Sequence, residues 1–199
     1  LTQDLKIIQS DEVFSFSLDA VLLARFCSLP RRGRIMDLCT GNGVIPLLLT
    51  TRTQAQIAAV EIQPRLADMA RRNVTLNGLQ TRIDIHEGDL KNAVEHWGHG
   101  TFDALTVNPP YLPVPSGDQN VNEHVAAARH EVYCTLEDVI RTASRLVRTG
   151  GRVAMVHRPS RLIDICTLMR QYRLEPKRIR FVHPRAEHEA NMVLIEGMR

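Results

Sequence analysis

The fold is decided by one short stretch, Asp37-Leu38-Cys39-Thr40-Gly41-Asn42-Gly43. An apolar run, Ile35–Leu38, leads into it, and an apolar segment that begins a helix, Val44–Leu49, follows the glycines. Glycine allows a chain to turn tightly and its backbone to approach a ligand closely. The stretch therefore predicts a buried strand, a tight loop and a helix, with an acidic side chain at the end of the strand.

The rest of the chain repeats this alternation of apolar runs and segments with helical spacing. Further strands are predicted at Gln56–Glu61, Arg82–His86, Phe102–Val107, Arg152–Val156, Arg178–Val182 and Met192–Ile195. Helices are predicted at Pro64–Leu76, Leu136–Val147 and Ser160–Tyr172, and Thr149-Gly150-Gly151 is expected to stop the second of these. Such alternation favours an α/β fold, a mainly parallel sheet with helices on both faces, whose ligands bind at the carboxyl ends of strands.

The overall composition is that of a globular protein in one domain. The chain has 199 residues, of which 44% are apolar and 24% charged. No apolar run approaches the ~20 residues of a membrane span, and residues 1–12 resemble no secretory signal. The four cysteines, Cys27, Cys39, Cys134 and Cys166, form no C-x-x-C pair, so we expect no metal and the reduced thiols of a cytoplasmic protein.

Two segments outside the regular alternation bear on binding partners. Leu112–His130 is long and lacks periodicity, which is more typical of a functional lid than of a spacer. Positive charge is concentrated between Arg158 and Arg185, with a second cluster at Arg31, Arg32 and Arg34. These basic residues are either solvated surface groups or a surface for nucleic-acid phosphates.

The glycine loop predicts a cofactor without phosphates. A dinucleotide-binding loop needs G-x-G-x-x-G, and here the third glycine position is occupied by Pro46. An acid at the strand end followed by two glycines suits a ligand that carries an ammonium group, such as the methionine part of S-adenosylmethionine. The candidate cofactor-binding residues in this loop are Asp37, Cys39, Thr40, Gly41, Asn42 and Gly43.

The next two strand ends continue the predicted cofactor site. Glu61, followed by Ile62, can accept hydrogen bonds from ribose hydroxyls, as acids do at this place in other doubly wound nucleotide sites. One strand later, Gly88-Asp89-Leu90 offers a carboxylate and a backbone N–H to an adenine ring. An acid just before a helix is also a common N-cap, so Asp89 has a purely structural alternative.

The end of the fourth predicted strand carries the candidate catalytic residues, Asn108-Pro109-Pro110-Tyr111. Two prolines hold the backbone rigid, so that the Asn108 amide oxygen and the Pro109 carbonyl can point at one spot. Two acceptors on the hydrogens of an aromatic amine would favour a pyramidal nitrogen whose lone pair faces a methyl donor. Tyr111 offers a ring on which a base can stack.

These motifs resemble those of a known family. The loop followed by Asn-Pro-Pro-Tyr resembles the class I methyltransferases that modify amino groups of adenine, guanine or glutamine. Three further segments, Phe14–Ala24, Ala128–Glu131 and Ala190–Gly197, make the chain similar to the bacterial tRNA-1-Val adenine-37 N6-methyltransferases.

The resemblance implies a Rossmann-like sheet of seven strands, S-adenosylmethionine as cofactor and tRNA as partner. It divides one domain, 1–199, into an N-terminal segment, 1–33, and a catalytic core, 34–199. Ser17 and Asp19 would lie beside the methionine end of the cofactor, and Asn108, which also borders the cofactor, would hold the adenine with the three residues that follow it. We expect a monomer or a weak homodimer.

Three alternatives stay open at this stage. A release-factor glutamine methyltransferase shares the Asn-Pro-Pro-Tyr motif, but such enzymes usually carry a helical domain before the glycine loop, and the residues up to Met36 are too few for one. A guanine-N2 RNA methyltransferase would share the fold. A cofactor-binding module without catalysis is the third, and the intact Asn108 and Tyr111 argue against it.

Overall fold

The computed structural model describes residues 5–9, 18–110 and 134–199. Its strands are β1 (Arg34–Leu38), β2 (Gln56–Glu61), β3 (Ile83–Glu87), β4 (Phe102–Val107), β5 (Val147–His157), β6 (Glu175–Val182) and β7 (Met192–Met198). Its helices are α1 (Leu18–Phe26), α2 (Val44–Thr50), α3 (Pro64–Leu76), α4 (Ala93–Trp97), α5 (Leu136–Leu146) and α6 (Leu162–Gln171). Short 3₁₀ turns, Leu90–Asn92 and Pro159–Arg161, precede α4 and α6.

The strands of the described chain form one sheet in the order β3-β2-β1-β4-β5-β7-β6. Strands β1 to β5 pair in parallel, and β7 runs antiparallel to both of its neighbours, β5 and β6. The strand order reverses between β1 and β4, which is where ligands bind in open α/β sheets. The prediction of a mainly parallel sheet with helices on both faces is confirmed.

The core consists of two apolar layers, one on each face of the sheet. The first layer holds residues of α1, α2 and α3, including Leu23, Leu47 and Val74. The second holds residues of α5 and α6, including Ile140 and Ile165, beside the 3₁₀ turn at Leu90. The central strands β1 and β4 are buried on both sides, which explains their continuous apolar runs. No described helix is long and apolar enough to cross a bilayer.

Local sequence explains most of the helix boundaries. Pro64 occupies the first turn of α3, where a missing N–H costs no hydrogen bond. Thr135 and Asp138 form a reciprocal capping box at the start of α5.

The predicted helix stop at Thr149-Gly150-Gly151 was partly wrong. Helix α5 ends at Leu146 and β5 begins at once with Val147, so the two glycines lie within the strand. They mark a register irregularity opposite β4, and the backbone N–H of Gly150 donates to the Arg199 carbonyl at 2.7 Å.

Candidate active site

Three strand ends meet at one edge of the sheet. In the parallel register Leu38 lies beside Val60 on one side and Val107 on the other. The residues that follow these three, Cys39, Glu61 and Asn108, are therefore neighbours. This edge brings together the glycine loop, the predicted ribose-binding acid and the candidate catalytic motif.

Asp37 is a fully buried acid inside this edge. The Thr106 hydroxyl on β4 donates to its Oδ1 at 2.6 Å. Burial raises the pKa of the Asp37 carboxyl from 3.8 to about 7, although the Thr106 hydrogen bond acts in the opposite direction. Its other oxygen, Oδ2, has no hydrogen-bond partner among the described residues. A buried acceptor left open beside a ligand-binding edge is a natural partner for a cationic group.

The loop after β1 is held in a conformation that leaves space beside it. Cys39 has a φ of 56°, which is unusual for a residue with a side chain. Gly41 has a φ of 57°, and a Cβ added there would meet no atom of the described chain within 4 Å. Gly43 is different, because a Cβ on it would lie 3.2 Å from the Ala70 Cβ. Gly41 thus leaves the loop open towards a ligand, and Gly43 lets the loop pack on α3.

Glu61 fixes the shape of the glycine loop. Its Oε2 accepts a hydrogen bond from the Gly41 N–H at 2.8 Å, and its Oε1 accepts one from the Gln63 N–H at 2.9 Å. Burial raises the pKa of the Glu61 carboxyl, while these backbone donors and the N–H of the half-buried Ile62 lower it. The predicted contact of Glu61 with a ribose stays a prediction; the structure adds its role as a brace for the loop.

The end of β3 lies next to the same site, since the Gly88 N–H donates to the Glu61 carbonyl at 2.9 Å. Asp89 acts here as an N-cap, accepting from the Lys91 N–H at 2.9 Å, and it pairs with the Lys91 Nζ at 3.1 Å. The structural alternative for Asp89 is therefore present, and its contact with an adenine stays a prediction. Leu90 is buried in the second core layer.

Asn108 ends β4 with an open acceptor. Its Oδ1 is buried and has no hydrogen-bond partner among the described residues, and the following Pro109 is buried as well. Of the other predicted site residues, Asp19 is buried in the first turn of α1. Ser17, Tyr111 and the predicted lid, 112–130, lie outside the described residues.

Buried polar atoms without a partner are concentrated at this edge. In the described chain they include atoms of Asp37, Thr40, Asn42, Gln63 and Asn108, all at or just after the carboxyl ends of β1, β2 and β4. Native proteins rarely bury such atoms without reason, because each unpaired group costs about 1–3 kcal/mol. We expect a bound polar ligand to supply partners for such atoms, and the residues present fit one with an ammonium group, hydroxyls and an amine. No group of three metal-binding side chains lies among the described residues.

Sequence reasoning missed Asn73, which connects the glycine loop to the N-terminal segment. This fully buried side chain on α3 donates from Nδ2 to the Asn42 carbonyl at 2.9 Å and to the Ile8 carbonyl at 3.2 Å. Its Oδ1 accepts from the Ile8 N–H at 2.6 Å. Asn77, one turn later, binds the Lys6 backbone in the same reciprocal way and donates to the Asn73 carbonyl at 2.7 Å. It makes no hydrogen bond to the loop in the described chain. In the sequence, the one local indication of this role is that Asn73 and Asn77 are spaced one helical turn apart.

We expect Asn73→Ala to weaken cofactor binding about tenfold, because the loop carbonyl at Asn42 loses a buried hydrogen bond. Asn77→Ala removes an equal side chain that holds the same N-terminal segment, and we expect an affinity within about twofold of the wild type. Calorimetric titration of both variants with S-adenosylmethionine provides the measurement. Equal losses in the two variants would show that Asn73 does not position the loop.

The reversed strand β7, the strand order and the loop after β1 define a class I methyltransferase. Residues 4–172 match the model of the methyltransferase small domain family. A tRNA1(Val) (adenine(37)-N6)-methyltransferase of Porphyromonas gingivalis is 33% identical over 185 residues, which cover 89% of this chain and 72% of the relative. The enzyme of the same name from Aeromonas salmonicida is 30% identical over 179 residues, covering 89% and 73%.

Solved structures share the fold of this chain. A protein of Agrobacterium tumefaciens described as a predicted O-methyltransferase superposes with a TM-score of 0.72 at 26% identity, covering 91% of this chain and 80% of that one. A geranyl diphosphate C-methyltransferase of Streptomyces coelicolor, at a TM-score of 0.67 and 14% identity, shares the fold.

The chain belongs to the methyltransferase small domain family and, within it, to the family of the tRNA1(Val) adenine-37 N6-methyltransferases. The family resemblance, the fold class and the methyltransferase class predicted from the sequence are confirmed.

Proposed function

We propose that this enzyme transfers a methyl group from S-adenosylmethionine to the exocyclic N6 of adenine-37 in tRNA1(Val). The observation that carries this proposal is the open buried acceptor of Asn108 beside the open buried acceptor of Asp37. The names of the relatives supply the substrate. The model of the methyltransferase small domain covers residues 4–172 of the chain. The function requires tRNA as a partner, and the enzyme works in the cytoplasm as a monomer or weak homodimer.

The residues of the first two strand ends hold the cofactor. Asp37 Oδ2 receives the ammonium group, with Thr40 and Asn42 close by in the loop. Glu61, already fixed against Gly41, accepts from the ribose hydroxyls, with Ile62, Asp89 and Leu90 along the adenine. S-adenosylmethionine, when bound, supplies an electrophilic methyl group on a positively charged sulfur. The low-dielectric edge keeps water away from the methyl group and strengthens the hydrogen bonds of the site.

The residues at the end of β4 prepare the acceptor amine. An exocyclic amine shares its lone pair with the ring and is a weak nucleophile. Asn108 Oδ1 and the Pro109 carbonyl each accept one N–H hydrogen, which favours a pyramidal nitrogen and frees its lone pair for in-line attack. As the nitrogen–carbon bond formed, the carbon–sulfur bond would break and leave its electron pair on sulfur. The methylated nitrogen would give up its extra proton to solvent as the product leaves the site. Tyr111 stacks on the target base and holds it in position.

A protein substrate is the second candidate, because the lone pair of a glutamine amide nitrogen is delocalised, as is that of the adenine amine. The two are separated by incubating the enzyme with labelled S-adenosylmethionine, total tRNA lacking the modification and a release factor in one reaction. We expect the label in the tRNA fraction. Label confined to the release factor would overturn the proposal and establish the glutamine methyltransferase.

A further inference from the structure

A cluster of arginines lies on the face of the sheet that α1 covers, away from the methyl-transfer site. On β6, Arg178 pairs with Glu196 and Arg180 pairs with Leu194 of β7. Because Leu194 belongs to the core layer of α1, both arginines project towards that layer. Their guanidinium carbons lie 4.4 Å and 5.6 Å from the centre of the Phe26 ring, at the end of α1. Both guanidinium groups therefore lie over the same aromatic ring.

Part of this cluster has an internal role. Glu196 is fully buried and accepts hydrogen bonds from the Ser28 N–H at 2.6 Å and the Ser28 hydroxyl at 2.9 Å. It forms ion pairs with Arg152 at 3.3 Å and Arg178 at 3.5 Å, and Arg178 also donates to the Phe26 carbonyl. These bonds tie the end of α1 to β5, β6 and β7. Arg152 and Arg178 are therefore needed for the fold, whatever else they bind.

The same bonds leave the cluster with excess positive charge. One carboxylate, Glu196, faces both Arg152 and Arg178, and Arg180 forms no ion pair among the described residues. Arg25, the residue before Phe26, is exposed and is also without an ion pair in the described chain. Like charges this close repel one another, so an unneutralised cluster lowers the stability of the free protein. A ligand with several negative charges would remove that cost.

Two other arginines of the basic region are each paired with an acid. Arg161 pairs with Asp164 at 2.9 Å, and Arg170 pairs with Glu175 at 3.1 Å. Both pairs belong to the side of the sheet that α6 covers. The basic segment from Arg158 to Arg185 is therefore not one surface, as the sequence suggested it could be. On the side of α1, the edge strand β6 carries Arg178 and Arg180, and Arg178 shares Glu196 with Arg152.

We propose that Arg25, Arg152, Arg178 and Arg180, together called the arginine face, bind the phosphodiester backbone of the RNA substrate. Guanidinium groups bind phosphate oxygens through paired N–H donors, and stacking on Phe26 orients those of Arg178 and Arg180 in advance. This inference rests on the proposed function, because it assigns a second contact region to the same RNA.

The position of the arginine face suits a substrate that also reaches Asn108. Strand β6 runs in the same direction as β4, so its carboxyl end lies at the same edge of the sheet. Arg180 comes two residues before the end of β6 at Val182, which places it about 7 Å below that edge. An RNA strand can therefore cross the arginine face while one of its bases enters the site at the strand ends.

The test compares Arg180→Gln with Arg173→Gln. Each variant replaces one exposed arginine. Arg180 lies within β6, whereas Arg173 lies shortly before β6, in the turn that follows α6 on the opposite face of the sheet. For Arg180→Gln we expect the KM for tRNA to rise about fivefold and the salt dependence of tRNA binding to lose about 0.7–0.9 of a unit of slope, with kcat and cofactor affinity unchanged. Adding Arg25→Gln to Arg180→Gln should raise the KM for tRNA and reduce the salt slope by a similar further amount. Arg173→Gln should behave as the wild type.

The outcomes separate this inference from the proposed function. If the wild type methylates tRNA and Arg180→Gln keeps the wild-type KM and salt slope, the arginine face is not an RNA site although the function stands. If Arg173→Gln loses as much as Arg180→Gln, the RNA has no preference for this face and the inference is overturned. If the wild type neither binds nor methylates RNA, both proposals fall. Thermal unfolding of each variant checks that the fold is intact.

Discussion

Replacing Asn108 by alanine is expected to lower kcat for methyl transfer by about 10²–10³-fold, the usual effect of losing one preorganised hydrogen bond at a reacting group. The reason is local: Asn108 Oδ1 is a buried acceptor without a described partner at the end of β4. Its loss leaves the amine planar and its lone pair in the ring. Single-turnover methylation of tRNA measures the effect.

Two controls make the Asn108 result specific. Asn108→Asp keeps an acceptor oxygen at the same place, so we expect it to retain far more activity than Asn108→Ala. Cofactor affinity, measured by calorimetry, should stay within about threefold of the wild type in both variants, since the ammonium and ribose contacts are elsewhere. An Asn108→Ala enzyme with normal turnover would remove Asn108 from the chemistry.

Asp37→Asn is expected to stabilise the free protein while it weakens cofactor binding. The buried Asp37 carboxyl has a pKa of about 7 instead of 3.8, so ionising it costs free energy in the folded state. Between those two pH values the unfolded chain releases this proton and the folded chain retains it, so the wild type loses stability as pH rises. At 1.36 kcal/mol per pH unit, asparagine should restore up to about 4 kcal/mol above pH 7.

Denaturant unfolding without cofactor, at pH 8 and at pH 4, measures this gain. We expect Asp37→Asn to be more stable than the wild type at pH 8 and nearly equal to it at pH 4. Its affinity for S-adenosylmethionine should fall about 10–100-fold, as expected for a lost hydrogen bond to a charged group. Wild-type affinity should itself increase as pH rises through about 7, when the carboxyl ionises. A less stable variant at pH 8, or unchanged cofactor affinity, would contradict the assigned role of Asp37.

The sequence predicted the parts of the site that depend on local pattern. The glycines at 41 and 43, the apolar run before them and the rigid Asn108-Pro109-Pro110 segment are all readable along the chain, and the structure brings them to one edge. Helix α1 was not predicted, because its sequence is apolar on most sides and gives little helical contrast. Helix α4, at five residues, is too short for a periodic signal.

The remaining features depend on contacts between distant residues. The brace from Asn73 to Asn42 spans 31 positions, and the link from Glu196 to Ser28 spans 168. Neither residue type indicates such a role on its own. The early start of β5 also depends on such a contact, because Val147, predicted as the end of a helix, pairs with Phe102 of β4. The arginine face could not be predicted for the same reason, because contacts between distant residues decide which basic side chains are already paired with an acid.

Methylation of an unmodified tRNA1(Val) transcript, followed by nucleoside mass spectrometry and mapping of the modified position, tests the central claim most directly. We expect N6-methyladenosine at position 37, and no methylation of a matched transcript that carries guanine there. A methyl group on the N2 of a guanine, or equal methylation of the transcript without adenine-37, would contradict it.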